Sequence, residues 1–421
     1  MFLLFLILFV IDIILFDFMS FFSPILSTDT ELYSLSFVLV HGVCVLFYLG
    51  VQGGTYKNIL IGGFLFRVLL LIVDIYGLYG LLHSGGDSEA FNGIAIYNQT
   101  HTEQLFRTNY TVFLTFLYSI THCSRIIAQY LNVLFGMGLL YYVWQILEKL
   151  QIDAKVIVFC LLILAFSPNF AMFSSILLRE AWIHFFVILS VYFFLDWYLQ
   201  SNEKAALLAL ASVFAAAYMH SGTLVVAAGY IVAFLTYNPR TETVQFSRQT
   251  IFSLVLLGVA VVFLAGSTST FASHFTSVES PDALNQAVNY QSDGGSVYLT
   301  WLRSDNIWMS LLFAPLKMFY FLFSPIPFNW RGLGDVIAFA IDSSIYLFLC
   351  WKIYQTKVTY HSMALLKNFL MVSLMVSTFV FAFGTYTAGT AMRHRAKILP
   401  VFFVAYAITA TEQYIKKEEE L

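Results

Sequence analysis

The sequence predicts an all-α integral membrane protein of about twelve transmembrane helices, with two large external loops bearing short interfacial or re-entrant helices. Three observations predict it. The 421-residue chain is 60% hydrophobic and only 11% charged, whereas a soluble domain carries about 25% charged residues. Its mean hydropathy is +0.80. Its apolar residues also fall into runs of roughly 17–25, the length a helix needs to cross the hydrocarbon core.

Along the chain the expected spans are 2–23, 34–52, 59–81, 126–148, 156–174, 177–199, 205–219, 222–237, 250–267, 333–352, 368–387 and 397–413. The first lacks a basic leading segment and a small-residue cleavage site, so it reads as a retained helix. The run 306–324 is long enough to span, but Pro315 and Lys317 interrupt it. An interfacial or re-entrant placement puts Lys352, Lys357 and Lys367 in the cytoplasm, where short lysine-rich loops belong. Both termini then lie inside. A single domain, 1–421, is expected, with its long segments, about 82–125 and 268–332, on the outer side. Long structured loops usually carry function, so chemistry is expected at that face.

With this topology nine of eleven lysines lie inside and seven of ten arginines outside. The lysine bias is the ordinary orientation signal. The outer arginines (Arg107, Arg125, Arg179, Arg303, Arg331, Arg393 and Arg395) run against it and need another cause. A guanidinium fork binds phosphate oxygens two at a time, and diphosphate is the anion such a face would suit.

Asp87 and Glu89 stand in "GGDSEAF", behind two glycines that permit close backbone approach. A carboxylate there can act as general base on a sugar hydroxyl, or it can cap a loop helix. Arg179 and Glu180 open the sixth span in "LLREAW". Helix neighbours do not face each other, so each must find its own partner. An ionisable residue in a span is a functional candidate; the alternative is an arginine snorkelling to headgroups. His220 closes an external turn in "MHSG" and can also move a proton or bind a diphosphate. Arg393, His394 and Arg395 form the densest group, in "GTAMRHRAK", read as an anion site rather than headgroup anchors. Being two residues apart, the arginines reach one diphosphate together only if the segment is extended ahead of a helix beginning near Lys397. If it is helical, one faces the cavity and the other anchors. Arg331, in "FNWRG", is a further candidate.

No metal-ligand spacing, phosphate loop or nucleophile elbow occurs, so neither metal nor cofactor is expected. Basic, aromatic nucleic-acid patches are absent as well. The four cysteines (Cys44, Cys123, Cys160 and Cys350) show no paired spacing and read as buried thiols. Asn98-Gln-Thr and Asn109-Tyr-Thr match the glycosylation pattern.

In this order, GGDSEAF, LLREAW, MHSG, YFLFSPIPFNWRG and GTAMRHRAK resemble the Wzy-type polymerases of capsule and O-antigen assembly. More broadly they resemble the GT-C class of polytopic glycosyltransferases. The resemblance covers most of the chain as topology, and each matching stretch is only a few residues long. It implies a bacterial cytoplasmic membrane enzyme with its active site on the outer face. The substrate would be a polyprenyl-diphosphate-linked glycan in the membrane lipid, and the neighbours a flippase and a chain-length regulator. Asp87 would be the base, with Glu180 in reserve and His220 in support. Arg179, Arg393, His394 and Arg395 would hold the diphosphate, with Glu89 and Arg331 as additional residues. A ligase or single-sugar transferase would use the same chemistry. A transporter remains the third class, because Asp12, Asp17, Arg67, Asp74 and Asp342 lie inside apolar runs.

The lysine distribution predicts that 352–367 is cytoplasmic and 388–396 external. In a cysteine-free background, an impermeant thiol reagent should label Thr390→Cys and leave Thr359→Cys unlabelled. The reverse pattern inverts the topology and removes the case drawn from the outer arginines.

Overall fold

Caps and breakers set where the apolar runs become helices. Asp29 accepts from the amides of Glu31 and Leu32 at 3.1 and 3.0 Å, Ser124 from that of Ile127 at 3.1 Å, and Asp153 from that of Lys155 at 2.8 Å. Each satisfies an amide that a helix start leaves open. The computed structural model describes residues 2–23, 29–77, 85–245, 297–299 and 312–419. The span expected at 250–267, most of the loop expected at 268–332, and Arg303 lie outside the described residues. The described chain is helical apart from an isolated bridge and a two-stranded ladder, β1 (Tyr237–Asn238) with β2 (Thr243–Val244). Among the described residues, seven helices are long and apolar enough to cross a membrane. The chain divides into two compact units, Met1–Leu189 and Ser190–Leu421.

The first unit holds α1 (Phe2–Phe22), α2 (Thr30–Gln52), α3 (Lys57–Tyr76), α4 (Gly85–Thr100), α5 (Asn109–Ile120), α6 (Arg125–Lys149), α7 (Ala154–Phe166), α8 (Pro168–Phe173) and the start of α9 (Glu180–Gln200). Helix α6 is its axis: every residue from Ile126 to Leu140 is buried, as expected of a helix packed on all sides. At its start, Tyr76 donates to Glu31 at 2.6 Å, joining the end of α3 to the start of α2. At its far end Trp144 packs on Tyr56, beside Lys57 at the head of α3. Lys57, Lys149 and Lys155 thus lie at helix ends opposite Arg125. Helices α4 and α5 form a hairpin tied by Tyr118 to Asn92 at 2.6 Å. Asn98 is buried in it, donating to Leu105 and Thr115 at 2.8 and 3.0 Å, which takes it out of reach as a glycosylation acceptor.

The span expected at 156–174 is broken. Ser167 is extended, and Pro168, which has no amide to donate, starts the separate α8. Helix α7 has 13 residues, about 20 Å of rise against a hydrocarbon core of about 30 Å. Its last carbonyls therefore end in the interior, and Arg67 meets them. This guanidinium is fully buried. It donates to Leu164 and Ala165 at 2.9 Å each, to Gly63 at 3.1 Å and to the Ser174 hydroxyl at 2.9 Å. Gly136 leaves room for it: a Cβ there would lie 2.7 Å from Ser174 and 2.9 Å from Nε of Arg67.

The second unit holds the rest of α9, α10 (Glu203–Met219), α11 (Ala227–Thr236), α12 (Ala314–Phe323), α13 (Leu333–Gln355), α14 (His361–Phe383), α15 (Ala388–Ala396) and α16 (Leu399–Glu419). Helix α11 lies so close to α14 that a Cβ on Gly229 would sit 2.0 Å from the Phe369 carbonyl. Lys352, Lys357 and Lys367 gather around the turn from α13 to α14, whereas Arg331, Arg393 and Arg395 follow or precede the opposite helix ends. The described part of the 306–324 run is α12, whose 10 residues rise about 15 Å.

Replacing Arg67 by methionine should destabilise the protein by about 3 kcal/mol or more, since each buried acceptor left open costs about 1–3 kcal/mol. Thermal unfolding in detergent tests this, and a melting temperature equal to the parent's would refute the capping role.

Candidate functional site

In the first unit the polar residues form a column down α6. Arg125 pairs with Glu89 at 2.9 Å and with Asp74 at 3.5 Å. Gln129 donates to the same Asp74 at 2.7 Å and to the Ser175 carbonyl at 3.3 Å. Asn132 donates to the carbonyls of Ile176 and Leu178 at 2.7 and 2.9 Å and accepts from Trp182 at 3.1 Å. The column ties down the non-helical stretch between α8 and α9. Irregular backbone survives at membrane depth only where protein or a cavity satisfies it. Asn132 lies seven residues into α6 from Arg125, about 10 Å along the axis.

That stretch delivers Arg179, half-buried, and Glu180, fully buried as the first residue of α9. Asp87 belongs to a different layer. It faces Arg107 at 3.8 Å from the first turn of α4, with both side chains about half exposed. Glu89 belongs to the Arg125 pair, a structural role that the sequence reading did not foresee. Burial pushes the Tyr110 phenol above its ordinary value, so it stays a neutral neighbour, 3.3 Å from Asn132.

In the second unit the final cationic group is helical. Thr387 caps α15, which runs from Ala388 to Ala396. The extended segment expected here is overturned, because alanines and a threonine cap favour the helix. Arg393 and Arg395, two positions apart, consequently point about 160° from each other. Arg395 faces inward and is fully buried. It pairs with Asp342 through Nε at 2.9 Å and also through Nη2. Nη2 reaches the Ser343 hydroxyl at 3.1 Å. Nη1 bonds the carbonyls of Phe321, Leu322 and Ser324 at 3.2, 2.8 and 2.7 Å. Its five N–H donors are all engaged by protein, which corrects its expected role as a diphosphate ligand. Asp342 reaches it from a π-helical turn, Phe339–Ser343, inside α13. Such a bulge changes where the next side chains point.

The other members converge on the Phe381 ring. The rings of His220 and His394 lie 6.0 and 5.5 Å from it and 5.1 Å from each other. The ammonium of Lys397, a fully buried residue, lies 5.6 Å from the same ring. His394 also meets the Thr385 hydroxyl at 3.2 Å. Arg393 is half-buried and, being four residues before Lys397, shares its face. Arg331 stands apart, chelated by Asp335 at 3.1 and 3.2 Å. Burial pushes the Tyr298 and Tyr386 phenols up, and the Tyr298 hydroxyl donates to the Thr385 carbonyl at 3.1 Å.

The structure therefore brings His220, His394 and Lys397 together and leaves Arg395 as their brace. Sequence reading missed Lys397 as a member, and Gln129 and Asn132 as supports. The available signal was polar spacing within apolar runs: Arg125, Gln129 and Asn132 recur on one helical face. No protein-family profile, curated protein or solved structure matches the chain.

Arg395→Lys or Asp342→Asn should cost about 3–5 kcal/mol, the usual effect of breaking a buried pair, whereas Arg393→Lys should leave stability unchanged. Melting temperatures of the three purified variants check this. Equal stability of Arg395→Lys and Arg393→Lys would overturn the division of labour.

Proposed function

We propose that this chain is a membrane glycosyltransferase that joins polyprenyl-diphosphate-linked oligosaccharide repeat units. In this reading it has about twelve spans, counting the shorter apolar helices, and its lysine-bearing helix ends face the cytoplasm. Its large loops lie at the outer face of a bacterial cytoplasmic membrane. One observation carries the reading: a cluster of basic residues, His220, His394 and Lys397, gathered around Phe381. Such a cluster fits an anion that must itself reside at a membrane, and a lipid-borne diphosphate is that anion.

The chemistry follows from the residues. An acceptor hydroxyl attacks the anomeric carbon of the donor. Its C–O bond forms as the bond to the diphosphate breaks, and polyprenyl diphosphate departs with the electron pair. The proton passes to a carboxylate, Asp87, with Glu180 in reserve. Fixed cations aimed at charge developing on the leaving group are typically the largest catalytic contribution. Arg393 and Lys397 of the second unit supply them, with His394 beside them, and no metal or cofactor enters.

The transporter reading loses support, because two of the charges in apolar runs have structural work. Arg67 caps α7 and Asp342 braces Arg395. A ligase remains the closer rival, since it would use the same leaving group.

Cells lacking the protein should accumulate lipid-linked single repeat units. Long unattached chains would instead identify a ligase, and unchanged glycan would reject the proposal. Asp87→Asn should lower turnover about 10²–10⁴-fold, the usual loss for a general base. Activity within a few-fold of the parent would move that role to Glu180, tested by Glu180→Gln.

A further inference from the structure

Lys317 is a cation in an apolar place. It sits on α12 with 5% of its surface exposed. Its ammonium lies 4.6 Å from the Phe383 ring centre and 5.5 Å from that of Tyr386. Among the described residues it meets no carboxylate and no hydrogen-bond acceptor. Two π faces offset only part of the cost of burying an ammonium. A bound anion would make up the difference.

Its position relative to the Phe381 cluster is set by two contacts. Phe321, one turn further along α12, stacks on Phe381 at 6.3 Å. Lys317 therefore lies one helical turn, about 6 Å, from the level of that ring. It is displaced toward Phe383 and Tyr386, at the end of α14 nearest Arg393. The second unit thus carries basic residues at two levels: His220, His394 and Lys397 at one, and Lys317 a turn nearer the helix ends.

We propose that Lys317 binds the second, sugar-bearing phosphate of the donor, so that the site selects a lipid diphosphate over a lipid monophosphate. This rests on the proposed function, which brings a lipid-borne diphosphate to that cluster. The lipid tail lies in the bilayer and the sugar outside, so the outer cation meets the phosphate next to the sugar. Arg395 fixes the geometry by holding the other end of α12 through the carbonyls of Phe321 and Leu322 and of the capping Ser324.

The test compares farnesyl diphosphate with farnesyl monophosphate as probes, binding to the full chain in detergent. The parent should prefer the diphosphate. Lys317→Met should weaken diphosphate binding by about tenfold or more, the effect of one charge-assisted hydrogen bond. Its monophosphate affinity should stay within about twofold of the parent's on the same grounds, and Lys317→Arg should restore the preference. A structural role would instead lower both affinities together, and Lys317→Gln carries the same comparison if the methionine variant does not fold. If the parent binds the diphosphate and neither variant changes its preference, the Lys317 assignment falls alone. If the parent binds neither probe, the proposed function falls with it.

Discussion

A buried guanidinium at the end of a short helix is the interaction on which both units depend. Helices α7 and α12 are too short to cross a hydrocarbon core, so their last carbonyls end where water cannot bond them. Arg67 supplies donors to α7 and Arg395 to α12, and each is fully buried. A cation is also what the negative end of a helix dipole favours. The two sites differ in compensation. Arg395 has Asp342 beside it, whereas the bonds of Arg67 go to three carbonyls and a hydroxyl. Helix dipole and bond number together must stabilise Arg67.

Ending a helix early has a consequence for function. Past α7 the chain passes through α8 and a stretch held by Gln129 and Asn132, then enters α9 with Glu180 already buried. Past α12 it turns at Ser324, whose carbonyl accepts from both Arg395 and Ser343. A full-length span would carry no irregular backbone at depth. The short helices make ionisable groups accessible to the interior without leaving backbone atoms unsatisfied.

Much of this architecture was legible because hydropathy and length report directly on the membrane. The long spans α1, α2, α3, α6, α9, α13 and α14 answer to apolar runs in the sequence. The break at Ser167-Pro168 was hidden, because a run of average hydropathy reads the same whether one helix or two fill it. The site was less legible for a related reason. Arg393 and Arg395 look equivalent in sequence, and only the helical phase of α15 sends one to the core. Asp342 was visible as a carboxylate in an apolar run, but its partner lies 53 residues away, beyond any local pattern.

The outward bias of arginine also has to be divided. Arg125 holds Asp74 and Glu89, Arg331 holds Asp335, and Arg107 faces Asp87. With Arg395, these are cations that already meet carboxylates of the protein, so their number says nothing about a ligand. The neighbourhood of Phe381 is a smaller and more informative set, in which His220, His394 and Lys397 come together. Placed on apolar helices, these charges act in a medium of low effective dielectric, where the attraction for an anion far exceeds its value in water. In the proposed reading an anion would be held by charge that the fold has already positioned, and the brace formed by Arg395 and Asp342 keeps that part of the fold in place.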